Sequence, residues 1–319
     1  PALVYGLKAR AWLERGTAKN DAEAYVSAAE YARLAINASG CTPLTQEQWE
    51  DPSNGFNSAM SNNAWIWGLA LPSESVANLF CFTAHMSTEN AWSAYGNDAC
   101  RCINSNLYNS IDLRDFRRHS WLDPDRKDPE KESYDYKSCR KEGKEYFNEL
   151  PDYANIKFRP AQGAYEDFKV GGAADHPYMR VEEMYFTAAE AALRLDDLKS
   201  ARELMNTVMA ERDPGYSANN RSGTLLGATT TTWTGSFLEN ILTHRRIELW
   251  GEYGRLFDVR RLGQGIDRRT DDGFSEECIS MMNRRNVNIT KADTYDWVLT
   301  IPKAELDANP NINEEDQNP

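Results

Sequence analysis

Residues 181–212 read VEEMYFTAAEAALRLDDLKSARELMNTVMAER. Val181, Tyr185, Ala188, Ala192 and Leu195 recur at helical spacing and line one face of a first helix. Ala201, Leu204, Met205 and Val208 line the contact face of a second. Asp196 and Asp197 between them leave room for a short turn, so the two helices pack antiparallel. Alanine at the contact positions lets the two backbones approach closely.

Working outward, the N-terminal residues predict another such pair. Leu3, Leu7 and Ala11 fall at i, i+4 and i+8, with Val4 and Trp12 widening the apolar stripe. Gly16 reads as the end of that helix. Asn20, followed three residues later by Glu23, resembles an N-cap with a capping box. Tyr25, Ala28, Ala29, Ala32 and Ile36 form the next apolar face, and Gly40 supplies the stop. The two pairs resemble tetratricopeptide units in their pattern of small and large positions. A third helical stretch covers residues 236–253.

Residues 41–177 are of another kind, rich in Asn, Ser, Gly, Pro and aromatics, with weak periodicity. Within them 65-WIWGLAL-71 alternates large and small side chains and reads as a short strand. Residues 112–145 carry dense charge of both signs and read as a solvated, loop-rich surface. The expected organisation is therefore a helix pair in 1–40, a loop-rich insert with short strands in 41–177, and a helical region with a tail in 178–319. The fold class is mainly α: tetratricopeptide-like helix pairs with a loop-rich face carrying short strands. Long irregular segments in compact proteins tend to carry function, so the ligand face is sought in the insert.

Composition narrows the partners. The net charge of −13 repels phosphate backbones, which excludes nucleic acid, and it opposes a polybasic membrane patch. The longest strongly apolar run, 64–71, is far short of the ~20 residues of a spanning helix. Pro1 is not an initiator methionine and the first residues already read as running helix, so an upstream part of the native protein is expected. Six cysteines show no C-x-x-C spacing, which weakens a zinc or thioredoxin-like reading. Cys100 and Cys102 form the one close pair; buried free thiols, or disulfides that spacing does not pair, are the reading preferred for the set, and the redox compartment stays open.

Several blocks, in order, carry a resemblance to a known family. These are 176-HPYMRVEEMY-185 with 188-AAEA-191, then 245-RRIEL-249 with 252-EYGRLFDVRR-261, and finally 301-IPKAELDANPN-311 with 316-DQNP-319. The chain resembles the SusD/RagB family of surface lipoproteins of Bacteroidota. It departs from the family pattern at His244, where Glu is usual, and at Gly254, which comes one residue late. The resemblance implies an outer-membrane protein, surface-exposed and held by an N-terminal lipid anchor absent from these residues. It implies a glycan ligand and a SusC-like TonB-dependent transporter as partner. It also implies that the first helical repeats precede Pro1. No cofactor is implied; a structural calcium is left open. Alternatives are peptide capture in the manner of RagB, a tetratricopeptide interaction scaffold, and a glycan-active enzyme.

Arg255, Asp258 and Arg261 stand at i, i+3, i+6, and Arg245 and Glu248 share that spacing; such alternation satisfies its own members and reads as a structural ion-pair network. The four histidines are scattered, and neither H-E-x-x-H nor G-x-S-x-G occurs, so no catalytic residue and no metal ligand is assigned. Aromatics are abundant, with 9 Trp and 15 Tyr, and many lie in the insert, among them Trp49, Phe56, Trp65, Trp121, Tyr134 and Tyr136. A sugar ring offers an apolar C–H face and a hydroxyl rim, matched by flat aromatics and by amide side chains. The segment 87-STENAWSAYGND-98 supplies both, which selects Trp92, Tyr95, Asn90 and Asn97. Trp67 and Phe82 complete the ligand-binding set, although strand alternation reads Trp65 and Trp67 as core.

Overall fold

The computed structural model describes residues 1–51, 56–58, 62–77, 80–89, 100–127, 150–220, 236–264, 266–267, 273, 288–289 and 300–317. Its regular elements are α1 (Ala2–Lys19), α2 (Ala22–Ser39), α3 (Gln46–Glu50), β1 (Trp65–Leu69), α4 (Phe82–Met86), α5 (Ser105–Asn109) and α6 (Phe168–Gly171). They continue with β2 (His176–Arg180), α7 (Val181–Arg194), α8 (Leu198–Arg212), α9 (Phe237–Glu248), α10 (Arg255–Arg261), β3 (Ile266–Asp267), β4 (Asn288–Ile289) and α11 (Lys303–Ala308). The fold is mainly helical. Helices α1 and α2 form one hairpin, α7 and α8 another, and α2 packs along α7 so that the hairpins stack. Two small antiparallel sheets, β1 with β2 and β3 with β4, complete the regular structure among the described residues.

The second hairpin follows its sequence. Val181, Ala188 and Ala192 of α7 and Ala201, Met205 and Val208 of α8 are buried, while Tyr185, Leu195 and Leu204 are half-buried. Asp196 adopts the left-handed conformation (φ 62°), and Asp197 caps α8 by accepting from the Ser200 amide at 3.0 Å. Because α7 lies between α2, α8 and α9, it is buried on nearly every side, including Glu182, Glu183 and Glu190.

The first hairpin corrects its sequence reading in three places. Periodicity predicts Leu3, Leu7 and Ala11 as the inner face, but α1 turns Gly6, Ala9, Arg10, Leu13 and Gly16 inward and leaves Leu7 43% exposed. Gly16 does not stop the helix, which runs on to Lys19. It is a contact point: a Cβ there would lie 2.9 Å from the Tyr25 ring of α2. Asn20 is not an N-cap either. It closes α1 in the left-handed conformation (φ 51°), and Asp21 caps α2 by accepting from the Ala24 amide at 3.2 Å. Close approach is available only where side chains are smallest, so glycine and alanine outcompete leucine for the inner face. Tyr25, Ala28, Ala29 and Ala32 are buried as expected, and Gly40 is the left-handed stop (φ 63°).

The charged stretch from 112 is also not the solvated loop expected. In its described part, 112–127, a 3-10 turn (Phe116–Ser120) buries Phe116 and Arg117, and Asp115, Trp121, Leu122, Asp123 and Arg126 are buried with it. Residues 128–145 lie outside the described residues. Trp49, Phe56, Phe116 and Phe158 interlock edge to face beneath β1, with centroids 5.1–5.7 Å apart.

The helical charges form a network, but mostly between elements. Arg10 of α1 grips Glu183 of α7 at 2.7 and 2.6 Å. Arg245 of α9 donates to Asp258 of α10 at 3.0 Å, and Arg261 donates to both Asp258 and Glu190 at 2.8 and 2.6 Å. Within one helix, the Asp258–Arg261 pair alone fulfils the predicted i, i+3 contact of that block. Arg245 and Glu248 turn apart to different partners, and Arg255 feels the Asp258 charge without a hydrogen bond to it. At the C-terminal end Gln317 clamps Ile301, its side chain accepting from the Ile301 amide at 2.7 Å and donating to the Ile301 carbonyl at 3.0 Å.

Candidate functional site

Strand β1 runs antiparallel to β2, with Trp67 opposite Met179 and Leu69 opposite His176. The pairing slips between Trp65 and Trp67 and again between Trp67 and Gly68. These irregularities break the two-residue alternation that would have put Trp65 and Trp67 on one buried face. Trp65 instead folds back over Gly68, where a Cβ would meet its ring at 2.5 Å, and packs on the core. Trp67 turns outward and is 39% exposed. Reading Trp67 as core is therefore corrected.

Four rings make a continuous row across this small sheet. Trp67 leans on Tyr178 with centroids 4.9 Å apart, and Tyr178 leans on His176 at 4.8 Å. His176 stacks nearly parallel on Phe82 of α4, at 3.7 Å and 18°. Phe82 meets the buried Phe158 edge to face at 5.1 Å. The row thus grades from a sealed core ring to an exposed indole. Burial lowers the His176 pKa below its ordinary value, against the opposing pull of Glu252, so the imidazole is neutral near neutral pH. An uncharged, half-exposed aromatic strip of this kind stacks on apolar ring faces.

The strip is held rigidly from behind. Arg180, the last residue of β2, donates to Glu252 at 2.7 and 2.9 Å and to Glu248 at 3.0 Å. Glu248 also accepts from Arg117 at 3.0 Å and from Arg212 at 3.0 and 2.9 Å. Lys157 fills its three donor positions with the Glu248 and Trp250 carbonyls and Glu252, at 2.7, 3.0 and 2.6 Å. Although burial alone would raise the Glu248 pKa, the guanidinium groups of Arg212, Arg180 and Arg117 hold it well below the usual carboxylate range. A carboxylate held so firmly ionised cannot donate a proton at neutral pH, and its oxygens are already occupied. The network is architectural. Among the described residues no group of three or more His, Cys, Asp or Glu side chains is placed to hold a metal. Nor is any described helix long and apolar enough to cross a membrane.

Of the predicted ligand-binding set, Trp67 and Phe82 stand at the two ends of the ring row. Asn90, Trp92, Tyr95 and Asn97 lie outside the described residues, as do Tyr134 and Tyr136. Trp49, Phe56 and Trp121 are sealed in the interior and take no part. His176 and Tyr178, the two inner rings of the row, were not among the predicted residues. Their alternation in H-P-Y placed both on one face of a strand, but the segment reads first as the lead-in to a helix. Cys102 is disulfide-bonded, whereas Cys41, Cys81 and Cys100 keep their thiols.

A sequence profile of the SusD family matches residues 152–319. None of the curated proteins matches the chain in sequence. Among solved structures, a SusD superfamily protein from Bacteroides thetaiotaomicron is 21% identical, with a TM-score of 0.59 over 92% of this chain and 56% of its own. A SusD-like carbohydrate binding protein from Bacteroides vulgatus is 19% identical, with a TM-score of 0.60 over 98% of this chain and 58% of its own. Surface glycan-binding protein A from Bacteroides thetaiotaomicron, solved in complex with laminarihexaose, is 17% identical, with a TM-score of 0.59 over 99% and 63%. The chain therefore spans less than two thirds of the length of each of these structures.

Proposed function

The chain belongs to the SusD family, and on that footing we propose that it captures glycan at the cell surface and hands it to a TonB-dependent outer-membrane transporter. The observation that carries this reading is the ring row Trp67, Tyr178, His176 and Phe82, half-exposed and neutral on a sheet pinned by buried ion pairs. Sugar C–H faces stack on such rings, and hydroxyls bond to amides beside them. The segment after α4 supplies those groups in sequence: Asn90, Trp92, Tyr95 and Asn97 extend the platform in this reading.

Capture proceeds without turnover, as SusD family glycan-binding proteins are non-catalytic. The glycan-bound relative supports the ligand class. The disulfide at Cys102 supports an oxidising compartment, as a surface-exposed, lipid-anchored protein requires. A SusC-like barrel is the partner in this reading, with the chain as its lid.

The test is a glycan array run beside a peptide library. Selective retention of one class of neutral glycan is expected, weakened by Trp92→Ala with the unfolding midpoint unchanged. Retention of peptides alone would replace the glycan reading with peptide capture. Release of shortened products would replace it with catalysis.

A further inference from the structure

A second recess shares no residue with the ring row. A cleft of about 580 Å³ opens between residues 109–118, the 213–216 turn after α8, and α9. Its size falls in the range of small-molecule sites, roughly 300–1,000 Å³. One wall is a charge-balanced trio. Arg114 lies 59% exposed, grips Asp112 at 3.0 and 3.2 Å, and stands 3.7 Å from Asp213. Gly215 makes room for it, since a Cβ there would sit 2.0 Å from the Arg114 guanidinium.

The opposite wall carries the buried Asn240 beside the half-buried Tyr216 and His244. Tyr216 donates its hydroxyl to Asn240 Oδ1 at 2.9 Å and meets the His244 ring edge to face at 5.3 Å. Arg117 donates to His244 Nδ1 at 3.0 Å, which leaves the ring proton on Nε2. Asn240 is 1% exposed and lines the cleft, yet its side chain has a single hydrogen bond, the one from Tyr216. Whichever way the amide is turned, one of its polar atoms is left for an occupant of the cleft.

We propose that this cleft is a second saccharide site, taking a neutral hydroxyl-rich unit that bonds to Asn240 and to the Arg114–Asp112 pair. Three carboxylates line it, Asp112, Asp115 and Asp213, and they repel an anion. Arg114 and Arg118 repel a cation. Ile111, Leu113 and the Tyr216 ring lie beside the charged groups, so the lining offers apolar surface for the C–H face of a sugar as well as polar partners for its hydroxyls. Hydroxyls, which donate and accept at once, suit a wall that offers a guanidinium, carboxylates and an amide together. The proposal rests on the reading of the chain as a glycan binder.

The test uses the whole chain labelled with 15N, with the Asn240 side-chain amide assigned by its loss in Asn240→Asp. Maltose, cellobiose and laminaribiose are titrated in separately. At least one should move the Asn240 signal saturably. Arg114→Ala, at an exposed position that leaves the fold intact, should weaken that binding about tenfold, as loss of a charged hydrogen-bond donor does. Trp67→Ala should leave the Asn240 titration unchanged. An Asn240 signal unmoved by all three sugars, or affinity indifferent to Arg114→Ala, overturns the cleft site. If array binding still depends on Trp67 while Asn240 stays silent, the cleft falls and the ring row stands. A responsive Asn240 with array binding indifferent to Trp67 leaves the cleft and removes the row.

Discussion

His176 and Phe82 stack at 3.7 Å, and the same burial that makes the contact keeps the imidazole from charging. Its folded-state pKa lies below the 6.5 of the unfolded chain. His119, buried beside Glu50, is shifted the same way, its burial outweighing the carboxylate. Both therefore contribute their full stability above pH 6.5. As pH falls below that value the unfolded chain takes up protons that the native state refuses, and stability is lost. The urea midpoint is expected to drop between about pH 7.5 and about pH 5.5, and the double variant His119→Gln, His176→Gln should flatten that slope. An equal slope in wild type and double variant would show that other groups carry the titration. Lys157 adds a window of its own. Burial and Arg180 pull its pKa down to about 8 against the attraction of Glu252, so stability should rise with pH between about 8 and the unfolded value of 10.5.

At the scale of elements, helices and turns were legible and faces were less so. The α7–α8 hairpin, its Asp196-Asp197 turn and the strand at 65–69 are written in local periodicity and turn chemistry. Which side of α1 faces inward is not, because leucines and small residues make competing stripes and the neighbouring helix chooses between them. Met179 settles onto Gly6 and Tyr25 onto Gly16, contacts that join elements far apart in sequence or across a hairpin. The outward turn of Trp67 was hidden for a similar reason, since an irregular register is a property of two strands and the alternation of one cannot reveal it. Burial of Arg117 was equally out of reach, as its partner Glu248 is supplied 131 residues later. These assignments are testable by calorimetry. Leu7→Ala should cost less than about 1 kcal/mol, whereas the inner position predicted by periodicity would make it about 2–5. Gly16→Val should cost about 1–3 kcal/mol by forcing the Tyr25 ring aside.

Across the whole molecule, buried ion pairs tie together elements that lie far apart in the sequence. Glu248 alone joins Arg117 of the 3-10 turn, Arg180 of β2 and Arg212 of α8. Glu248→Gln leaves three buried guanidinium groups short of charge and should destabilise the fold by about 3–5 kcal/mol. Removing the exposed Arg15–Asp21 pair with Arg15→Ala should leave the unfolding midpoint nearly unchanged. A scaffold fixed in this way can present an aromatic strip without depending on the strip for its stability, so binding and folding should respond to different substitutions. Affinity electrophoresis of wild type and Trp67→Ala, in gels cast with the polysaccharide retained on the array, measures that separation directly. Trp67→Ala should weaken retention about tenfold, or ~1.4 kcal/mol, with an unchanged unfolding midpoint. Undiminished retention, or a loss of retention matched by a loss of stability, would contradict it.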